Sequence, residues 1–260
     1  MLVVLPPSES KAAPPEGPRV DVRELAFPAL AARREALLDA LAALAAGPRA
    51  AALAALGLSE GQAAEIDRNA SLREAPAAPA GAVYTGVLYE RLRLGELPEA
   101  ARARAARHVL IASALWGVLR PDDRIPAYRL SIGARLSGLP GLAAFWRPAL
   151  RDALPDEGLV VDLRSGAYAA AWRPARAGHV TVRAYAELPN GTRKPISHMA
   201  KRARGDVARA LLLAPSPPRS PADVATAAGA AGLRVELAPA RGGWTLDVVE
   251  PAVQSARSAA

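Results

Sequence analysis

Short, uninterrupted apolar runs constrain the fold of this 260-residue chain more than any other feature of its sequence. The runs are MLVVL at residues 1–5, VLIASALWGVL at 109–119 and GLVVDL at 158–163. A short apolar run bounded by turn residues is typical of a strand buried inside a sheet, whereas a membrane-spanning helix needs about 20 apolar residues. The sequence therefore predicts buried strands and no membrane span.

Two further patterns add strands of other kinds. VTVRAYAEL at 180–188 alternates along its length, and RVELAP at 234–239 and GWTLDVV at 243–249 flank an Arg-Gly-Gly turn like the arms of a hairpin. The strands alternate with helices, but without a regular β–α–β rhythm. We therefore predict a mixed α/β fold, in which one mixed sheet is surrounded by helices.

Helical periodicity fills the intervals between these strands. Leu37, Leu41 and Leu44 recur at helical spacing, and the Gly-Pro pair at 47–48 ends the pattern. The predicted helices cover residues 21–46, 48–56, 83–92, 98–108, 145–154, 196–213 and 223–231.

We expect one domain over residues 1–260. Residues 214–222 are a proline-rich connection, and residues 223–260 supply a helix, the hairpin and a frayed C-terminal tail. The segment 120–136 is rich in prolines and glycines and is predicted to be an irregular, surface-exposed functional loop.

The charge of the chain indicates an anionic partner. Lysine and arginine together number 33 against 25 acidic residues, which gives a formal net charge of +8 and favours nucleic acid or small anionic ligands. The sequence has no cysteine, which excludes thiol peroxidase chemistry and iron–sulfur clusters. Its three histidines are scattered, so we predict neither a metal site nor a cofactor. With no signal peptide at its start, we expect a cytoplasmic monomer with no membrane partner.

Only three of the positive residues are lysines, namely Lys11, Lys194 and Lys201. The ammonium group of lysine is a compact charge whose pKa shifts readily and which can reach a single phosphate oxygen. Lys11 follows the first strand beside Ser8 and Glu9, a common place for a site in α/β proteins. The lysines therefore mark candidate sites, although Lys11 could equally be an ordinary surface residue.

The predicted helix 196–213 carries a basic face. Ser197 is placed to cap the helix, and Lys201, Arg202 and Gly205 lie opposite its apolar stripe. A glycine inside a helix costs about 1 kcal/mol relative to alanine, which is tolerable where something must approach the backbone closely. We predict that this face binds an anion, and the alternative is a solvated charged face.

The segment 120–136 interleaves arginines with an aromatic residue and two glycines, a pattern that suits an anion-binding groove with a stacking platform. Alternatively, the two aspartates at 122 and 123 pair with Arg124 and neutralise part of the charge. The candidate residues are Arg120, Tyr128, Arg129 and Arg135.

Residues 48–68 resemble a helix-hairpin-helix, a DNA-binding element in which backbone N–H groups of the hairpin face a phosphate at a helix N-terminus. The hairpin residues are Gly57, Ser59 and Gly61, and Ser59 replaces the second glycine of the motif. Ser59 is equally an ordinary helix cap.

Taken in order, several blocks resemble the YaaA family of peroxide stress response proteins. They are MLVVLPPSESK, VYTGVLYE, ALWGVLRPDD, IPAYRLSIGARL, VVDLRSGAY and ISHMAKRARGD, and they extend to about residue 213. The resemblance implies a mixed α/β domain with a basic cleft and a helix-hairpin-helix element. It also implies protection against hydrogen peroxide, with lowered free iron and binding of double-stranded DNA. The residues implied to line the cleft are Lys11, Arg120, Arg129, Arg135, Lys194, Lys201, Arg202 and Arg204.

Two functions remain open. The first is a DNA-binding protein that contacts mostly the phosphate backbone, with little sequence specificity, and limits oxidative, iron-mediated damage. The second is an enzyme that acts on a nucleotide or another small anionic substrate in the same basic pocket. A deep, narrow pocket would favour the enzyme, and an open groove as wide as a duplex would favour DNA. The candidate catalytic residues of the enzyme are Ser8, Glu9, Lys11, Ser165, Ser197 and Lys201.

Both functions require distant parts of the chain to converge, so we predict that Lys11, Arg129 and Lys201 share one cleft. A basic scaffold for a protein partner is a third possibility, but the sequence offers no exposed apolar stripe to support it.

Overall fold

The computed structural model describes residues 1–155, 157–174, 178–195 and 197–251. Ten strands lie within these residues, eight of them in one central sheet and the other two, β2 and β5, in a small separate ribbon. In chain order they are β1 (Leu2–Leu5), β2 (Ala78–Pro79), β3 (Val109–Ser113), β4 (Gly117–Leu119), β5 (Arg124–Ile125), β6 (Val160–Asp162), β7 (His179–Glu187), β8 (Arg193–Pro195), β9 (Val235–Ala240) and β10 (Gly243–Pro251).

The central sheet has the order β4-β3-β1-β6-β7-β10-β9, and β8 also pairs with β7. The strands β3, β1, β6, β7 and β10 run parallel to one another, while β4, β8 and β9 run antiparallel to their neighbours. The apolar runs in β1, β3 and β6 are buried on both faces, as expected for parallel strands covered by helices. The predicted mixed α/β fold is confirmed.

Ten α-helices lie in the described part of the chain and pack around the sheet. They are α1 (Ala31–Ala46), α2 (Arg49–Leu56), α3 (Ala64–Ala70), α4 (Ala80–Val83), α5 (Val87–Leu92), α6 (Glu99–His108), α7 (Leu142–Ala153), α8 (Gly166–Ala169), α9 (Ser197–Leu213) and α10 (Pro221–Ala230). Among the described residues, each helix is too short or too polar to pass through a lipid bilayer.

The first predicted helix begins later than its pattern indicates. Residues 21–30 form turns and a short 3-10 helix, and α1 begins only at Ala31. Phe27 adopts a left-handed backbone conformation with φ 63°, which interrupts a helix at any residue with a side chain. Pro28 then starts the 3-10 turn, where its missing N–H is not needed.

A buried arginine holds these turns against the sheet. The guanidinium of Arg34 on α1 donates hydrogen bonds to the carbonyl oxygens of Ala26 at 2.7 Å, Val118 at 3.0 Å and Trp116 at 3.1 Å. Its side chain is fully buried. The helical periodicity did not predict that Arg34 is buried, because a charged residue in an amphipathic helix is expected to face solvent.

The segment 120–136 is irregular, as predicted, but it is not a simple surface loop. Ile125, Leu130 and Leu136 are buried in the core. Asp123 accepts hydrogen bonds from the backbone N–H groups of Ala26 and Arg120. Hence Asp123 organises the backbone instead of pairing with the neighbouring arginine at 124, as one alternative proposed.

Candidate functional site

A cavity of about 490 Å³ opens beside the carboxyl ends of β1 and β6. In open parallel sheets, ligands bind outside the carboxyl ends of the strands, where the chain switches direction across the sheet. Here β1 and β6 are neighbours, and within the sheet the chain continues from β1 to β3 on one side and from β6 to β7 on the other. We call this cavity the Lys11 pocket. Its walls are residues 6–11, 85–89 and 129–133 together with Ser165, Tyr168, Lys201 and Arg204.

The loop after β1 is fixed to the turn before α5. Lys11 forms an isolated antiparallel bridge with Tyr84, and the Thr85 N–H donates a hydrogen bond of 3.1 Å to Ser8 Oγ. The Tyr89 hydroxyl donates to the carbonyl oxygen of Pro6 at 2.8 Å. These bonds give residues 6–11 a defined backbone, so that their polar side chains line the pocket in fixed positions.

The Lys11 amine is held in the pocket wall without a carboxylate partner. Its Nζ donates to the Ser8 carbonyl oxygen at 2.8 Å and lies 4.2 Å from the ring centre of Tyr128. No Asp or Glu oxygen of the described residues lies within 4.0 Å of it. Burial, and then repulsion from Arg129, lower the pKa of Lys11 to about 7.

Two tyrosines and a serine form the support beneath Lys11. The hydroxyls of Tyr84 and Tyr128 lie 2.8 Å apart, and Ser113 Oγ lies 2.7 Å from the Tyr128 hydroxyl. Burial raises the pKa of both tyrosines, so they remain neutral. Because Tyr128 is only 1% exposed, the prediction that it is a stacking platform for a ligand is wrong. Its ring stacks beneath the lysine instead.

Arg129 is positioned by an asparagine from α3. The Asn69 amide donates to the Arg129 carbonyl oxygen at 2.7 Å and accepts from the Arg129 N–H at 2.9 Å. The Arg129 guanidinium then contacts the Glu9 carboxylate at 3.3 Å across the pocket. Asn69 is not among the predicted residues, because a buried asparagine on a short helix gives no recognisable signal in a single sequence.

The opposite wall of the pocket comes from α9. Lys201 is exposed at the pocket, whereas Arg204 is half-buried and its Nε has no hydrogen-bond partner among the described residues. Burial lowers the pKa of Arg204, while attraction to Asp162 raises it. A half-buried guanidinium without a carboxylate in contact is suited to receive an anion.

A buried ion pair anchors the loop that carries Ser165. Arg164 binds the Asp162 carboxylate through two hydrogen bonds of 2.8 Å, and His179 Nε2 lies 3.2 Å from the same carboxylate. Burial alone would raise the pKa of Asp162, but the hydrogen bonds from Arg164 and His179 hold it well below its usual range. The hydrogen bonds therefore hold the charged side chains of Asp162 and Arg164 in place next to the loop that carries Ser165.

The pocket unites most of the predicted residues. Lys11, Arg129 and Lys201 share it, which confirms the predicted convergence. The other predicted residues that line it are Ser8, Glu9, Ser165 and Arg204. The side chain of Ser197 lies outside the described part of the chain.

Six predicted anion-binding residues do not line the Lys11 pocket, and one of them is Tyr128, which is buried beneath Lys11. Arg120 donates to the carbonyl oxygens of Arg107 and Val109, and Arg202 lies along a separate groove beside α10. The remaining three, Arg135, Lys194 and Gly205, also lie outside the pocket wall.

The predicted place of Gly205 on an open basic face is wrong. A Cβ on Gly205 would clash with the Leu88 carbonyl oxygen and would lie 2.7 Å from Arg91 Cβ. The backbone that approaches this glycine belongs to α5, so close packing of α5 on α9 requires the glycine and no ligand is needed to explain it.

The predicted hairpin residues connect α2 to α3. Gly57 ends α2 in a left-handed conformation with φ 65°, and the Ser59 N–H donates to Gln62 Oε1 at 3.2 Å at the start of a 3-10 turn. Gly57, Ser59 and Gly61 are exposed. Two helices thus flank an exposed turn, but a helix-hairpin-helix that binds DNA stays a prediction.

The composition of the pocket limits its chemistry. Four cationic side chains and one carboxylate line it among the described residues. Within the same residues, no cluster of three His, Cys, Asp or Glu side chains could hold a metal ion. The arrangement can therefore bind an anion through its cations and offer a lysine amine with a lowered pKa.

Comparison with known proteins gives consistent matches. A family model described as peroxide stress protein YaaA matches residues 1–232, beyond the last of the motif blocks. A UPF0246 protein of Streptomyces coelicolor is 47% identical over 258 residues, which cover 96% of this chain and 98% of that protein. A UPF0246 protein of Corynebacterium glutamicum is 43% identical over 244 residues, which cover 92% of this chain and 96% of that protein.

Proposed function

Because the chain belongs to the family of peroxide stress protein YaaA, we propose that it acts in the response to hydrogen peroxide by binding a phosphate-bearing ligand in the Lys11 pocket. The observation that carries this proposal is the unbalanced charge of the pocket wall. The buried Nε of Arg204 has no acceptor among the described residues, and Glu9 is the one acidic residue among those that line the pocket there. A phosphate would supply the missing acceptors.

The size of the pocket favours a ligand as small as a nucleotide. A volume of about 490 Å³ falls within the range of roughly 300–1,000 Å³ that is usual for small-molecule sites. A duplex, whose major groove alone is about 12 Å wide, is too large to enter. Of the two functions left open by the sequence, an enzyme acting on a small anionic substrate gains support. Lys11, Glu9 and Ser8 are its nearest candidates for proton transfer or nucleophilic attack.

Double-stranded DNA remains a second candidate ligand, and the charge of the chain favours it. The formal net charge is +8, and Lys201 and Arg202 on α9 are exposed to solvent. DNA would lie over the mouth of the pocket and contact these residues through its phosphates, with little dependence on base sequence. By covering DNA in this way, the protein would limit iron-mediated damage. The absence of cysteine means that protection would not proceed through a thiol.

The experiment measures the affinity of the purified protein for three probes: inorganic phosphate, deoxyadenosine monophosphate and a fluorescent DNA duplex, the last over a salt series. For an open phosphate contact, Lys201→Ala and Arg204→Ala should each weaken duplex binding for all sequences alike and flatten the slope of log affinity against log salt by about 1. Lys201→Arg should then bind almost as well as the wild type.

A small-ligand pocket predicts a different pattern. Arg204→Ala should weaken binding of the monophosphate roughly tenfold or more, and Lys201→Arg should be nearly as damaging as Lys201→Ala, because the position of the charge matters there. Arg241→Ala, at an exposed turn outside the pocket, is the matched control for loss of one charge. If the pocket variants bind all three probes as the control does, the proposal is wrong.

A further inference from the structure

We propose that Lys11 is an amine nucleophile, which forms an imine with the aldehyde group of a phosphate-bearing ligand in the Lys11 pocket. This inference rests on the proposed function, because it assigns a reaction to the pocket in which the phosphate binds. It identifies the substrate class as phosphorylated aldehydes, and it gives Lys11 a covalent role that an arginine could not perform.

The position of the Lys11 amine is the first argument. A lysine that only stabilises the fold usually ends in an ion pair, yet Lys11 Nζ contacts a carbonyl oxygen of Ser8 and the faces of Tyr128 and Tyr84, at 4.2 and 5.4 Å from their ring centres. These contacts orient the amine without neutralising it through a carboxylate. They place it in the wall of a cavity large enough for a ligand.

The charges around the amine are the second argument. Burial disfavours a protonated Lys11 most strongly, and repulsion from Arg129 and Arg68 adds to that effect. Attraction to Glu65 and Glu9 opposes it more weakly. With a pKa of about 7, a substantial fraction of the amines carries a free electron pair at neutral pH. Lysines desolvated in this way, or placed next to another cation, are the ones that form imines in enzymes.

The anion-binding side chains are the third argument, because they define the rest of the ligand. Lys201 and Arg204 face the cavity from α9, and Arg129 faces it from the segment 129–133. An aldehyde that also carries a phosphate would be held by these cations while its carbonyl carbon meets Lys11. A neutral aldehyde would lack the cationic contacts and should react much more slowly.

The step is a simple condensation. The Nζ electron pair attacks the aldehyde carbon, and one amine proton passes to the carbonyl oxygen to give a carbinolamine. The nitrogen electron pair then forms the carbon–nitrogen double bond, the carbon–oxygen bond breaks, and the hydroxyl leaves as water with the second amine proton. Glu9 lines the same pocket, and because its carboxylate is beyond hydrogen-bond reach of Nζ, it would carry a proton from the amine to the departing oxygen through one bridging water. No oxidant or reductant is consumed.

Two kinds of ligand carry the required aldehyde and phosphate. One is a free phosphorylated sugar aldehyde, and the other is the ring-opened sugar of a DNA strand that has lost a base. Both present an aldehyde close to a phosphate. The test therefore uses glyceraldehyde 3-phosphate and an oligonucleotide with one abasic site as separate probes. Glyceraldehyde without phosphate and the same oligonucleotide without the abasic site are their matched controls.

Each probe is incubated with the purified full-length chain and sodium cyanoborohydride, which reduces an imine to a stable amine, and the product is mapped by peptide mass spectrometry. The chain has only three lysines and one N-terminal amine, so the modified residue can be assigned without ambiguity. We expect the phosphorylated aldehyde or the abasic strand to label Lys11 at least about tenfold faster than Lys194, because an ordinary lysine is almost entirely protonated at neutral pH.

Two variants test whether the label depends on Lys11. Lys11→Arg keeps the positive charge but cannot form an imine, so it should lose the label. Lys194→Arg removes an exposed lysine outside the pocket and should be labelled at Lys11 as the wild type is. Circular dichroism checks that both variants fold, and the wild-type peptide map decides the question even if one does not.

Equal labelling of all the amines, or labelling of Lys11 that does not depend on the phosphate or the abasic site, would overturn the proposal. If the protein binds phosphate and the monophosphate but yields no Lys11 adduct with either probe, the imine is wrong and the proposed function stands. If it binds none of them, both proposals fail.

Discussion

At the scale of single residues, burial decides what each cation of this chain does. The buried guanidinium of Arg34 donates to four carbonyl oxygens, and although burial lowers its pKa to about 10, it stays charged and structural at neutral pH. Lys11 is also removed from water, but its pKa of about 7 places it between the two protonation states. Arg34 therefore supports the fold, whereas Lys11 can take part in chemistry.

The buried carboxylate Asp162 should be among the most sensitive single residues. Asp162→Asn leaves Arg164 buried without its counterion, which should cost about 3–5 kcal/mol of the free energy of unfolding. Because the folded pKa of Asp162 is depressed, its contribution to stability is complete above the unfolded pKa of about 3.9 and is lost as the pH falls below it. Urea unfolding at a series of pH values should therefore show a gap between wild type and variant that narrows in acid.

Asp152→Asn is the control for that experiment. Asp152 is exposed and pairs with Arg151 on the surface, so its substitution should change stability by less than about 0.5 kcal/mol. An Asp162→Asn protein as stable as this control at neutral pH would contradict the structural role of the ion pair.

At the scale of elements, the contact between α5 and α9 positions one wall of the pocket. Gly205 allows α9 to approach the Leu88 carbonyl of α5, and the Arg91 guanidinium of α5 binds the Asp206 carboxylate on α9 at 2.7 Å. The same helix α5 holds the loop after β1 through Tyr89. The spacing of the two helices therefore sets the distance between Lys11 and Arg204.

Two glycine-to-alanine substitutions separate close packing from helix propensity. In Gly205→Ala, the new methyl group meets the backbone of α5, and we expect a net loss of about 1–3 kcal/mol of stability, together with weaker binding of the monophosphate. Gly229→Ala in α10 meets nothing within 4 Å and should be neutral or stabilising by up to about 1 kcal/mol. Thermal unfolding measures the stability of both variants. Equal changes in stability for Gly205→Ala and Gly229→Ala would show that the contact with α5 is unimportant.

At the scale of the whole molecule, one continuous sheet contains both the first and the last strand of the described residues. β1 lies near the middle of the sheet, and β10 pairs with β7 from residue 244 to 251. The buried residues Leu246 and Val248 of β10 extend the core of β7. We therefore propose that residues 1–251 form one cooperative unit, with the connection at 214–222 inside it.

Unfolding in urea tests this proposal. Far-ultraviolet circular dichroism follows the whole chain, and the difference in fluorescence between wild type and Trp244→Phe follows β10, where Trp244 lies. We expect the two midpoints to coincide, as for a two-state domain. A chain cut after residue 222 should fail to fold cooperatively, because it uncovers Val180 and Val182 of β7. Separate midpoints would mean that the C-terminal hairpin is an independent unit.

The sequence by itself determined the features that depend on near neighbours in the chain. The apolar run in β1, the hairpin of β9 and β10 and the apolar stripe of α9 each carry a period or a turn that is readable within about ten residues. The rarity of lysine identified Lys11 and Lys201, since residue choice in an arginine-rich chain is also visible without a fold.

Only the tertiary structure decided which of these residues meet and what they face. In the folded chain Tyr128 is buried under Lys11, Gly205 packs against α5, and Arg120 binds backbone carbonyl oxygens outside the pocket. The tertiary structure also brought Asn69, sixty positions earlier, onto the backbone of Arg129. Burial and the lowered pKa of Lys11 arise from atoms supplied by distant segments, and the spacing of residues along a chain holds no information about those contacts.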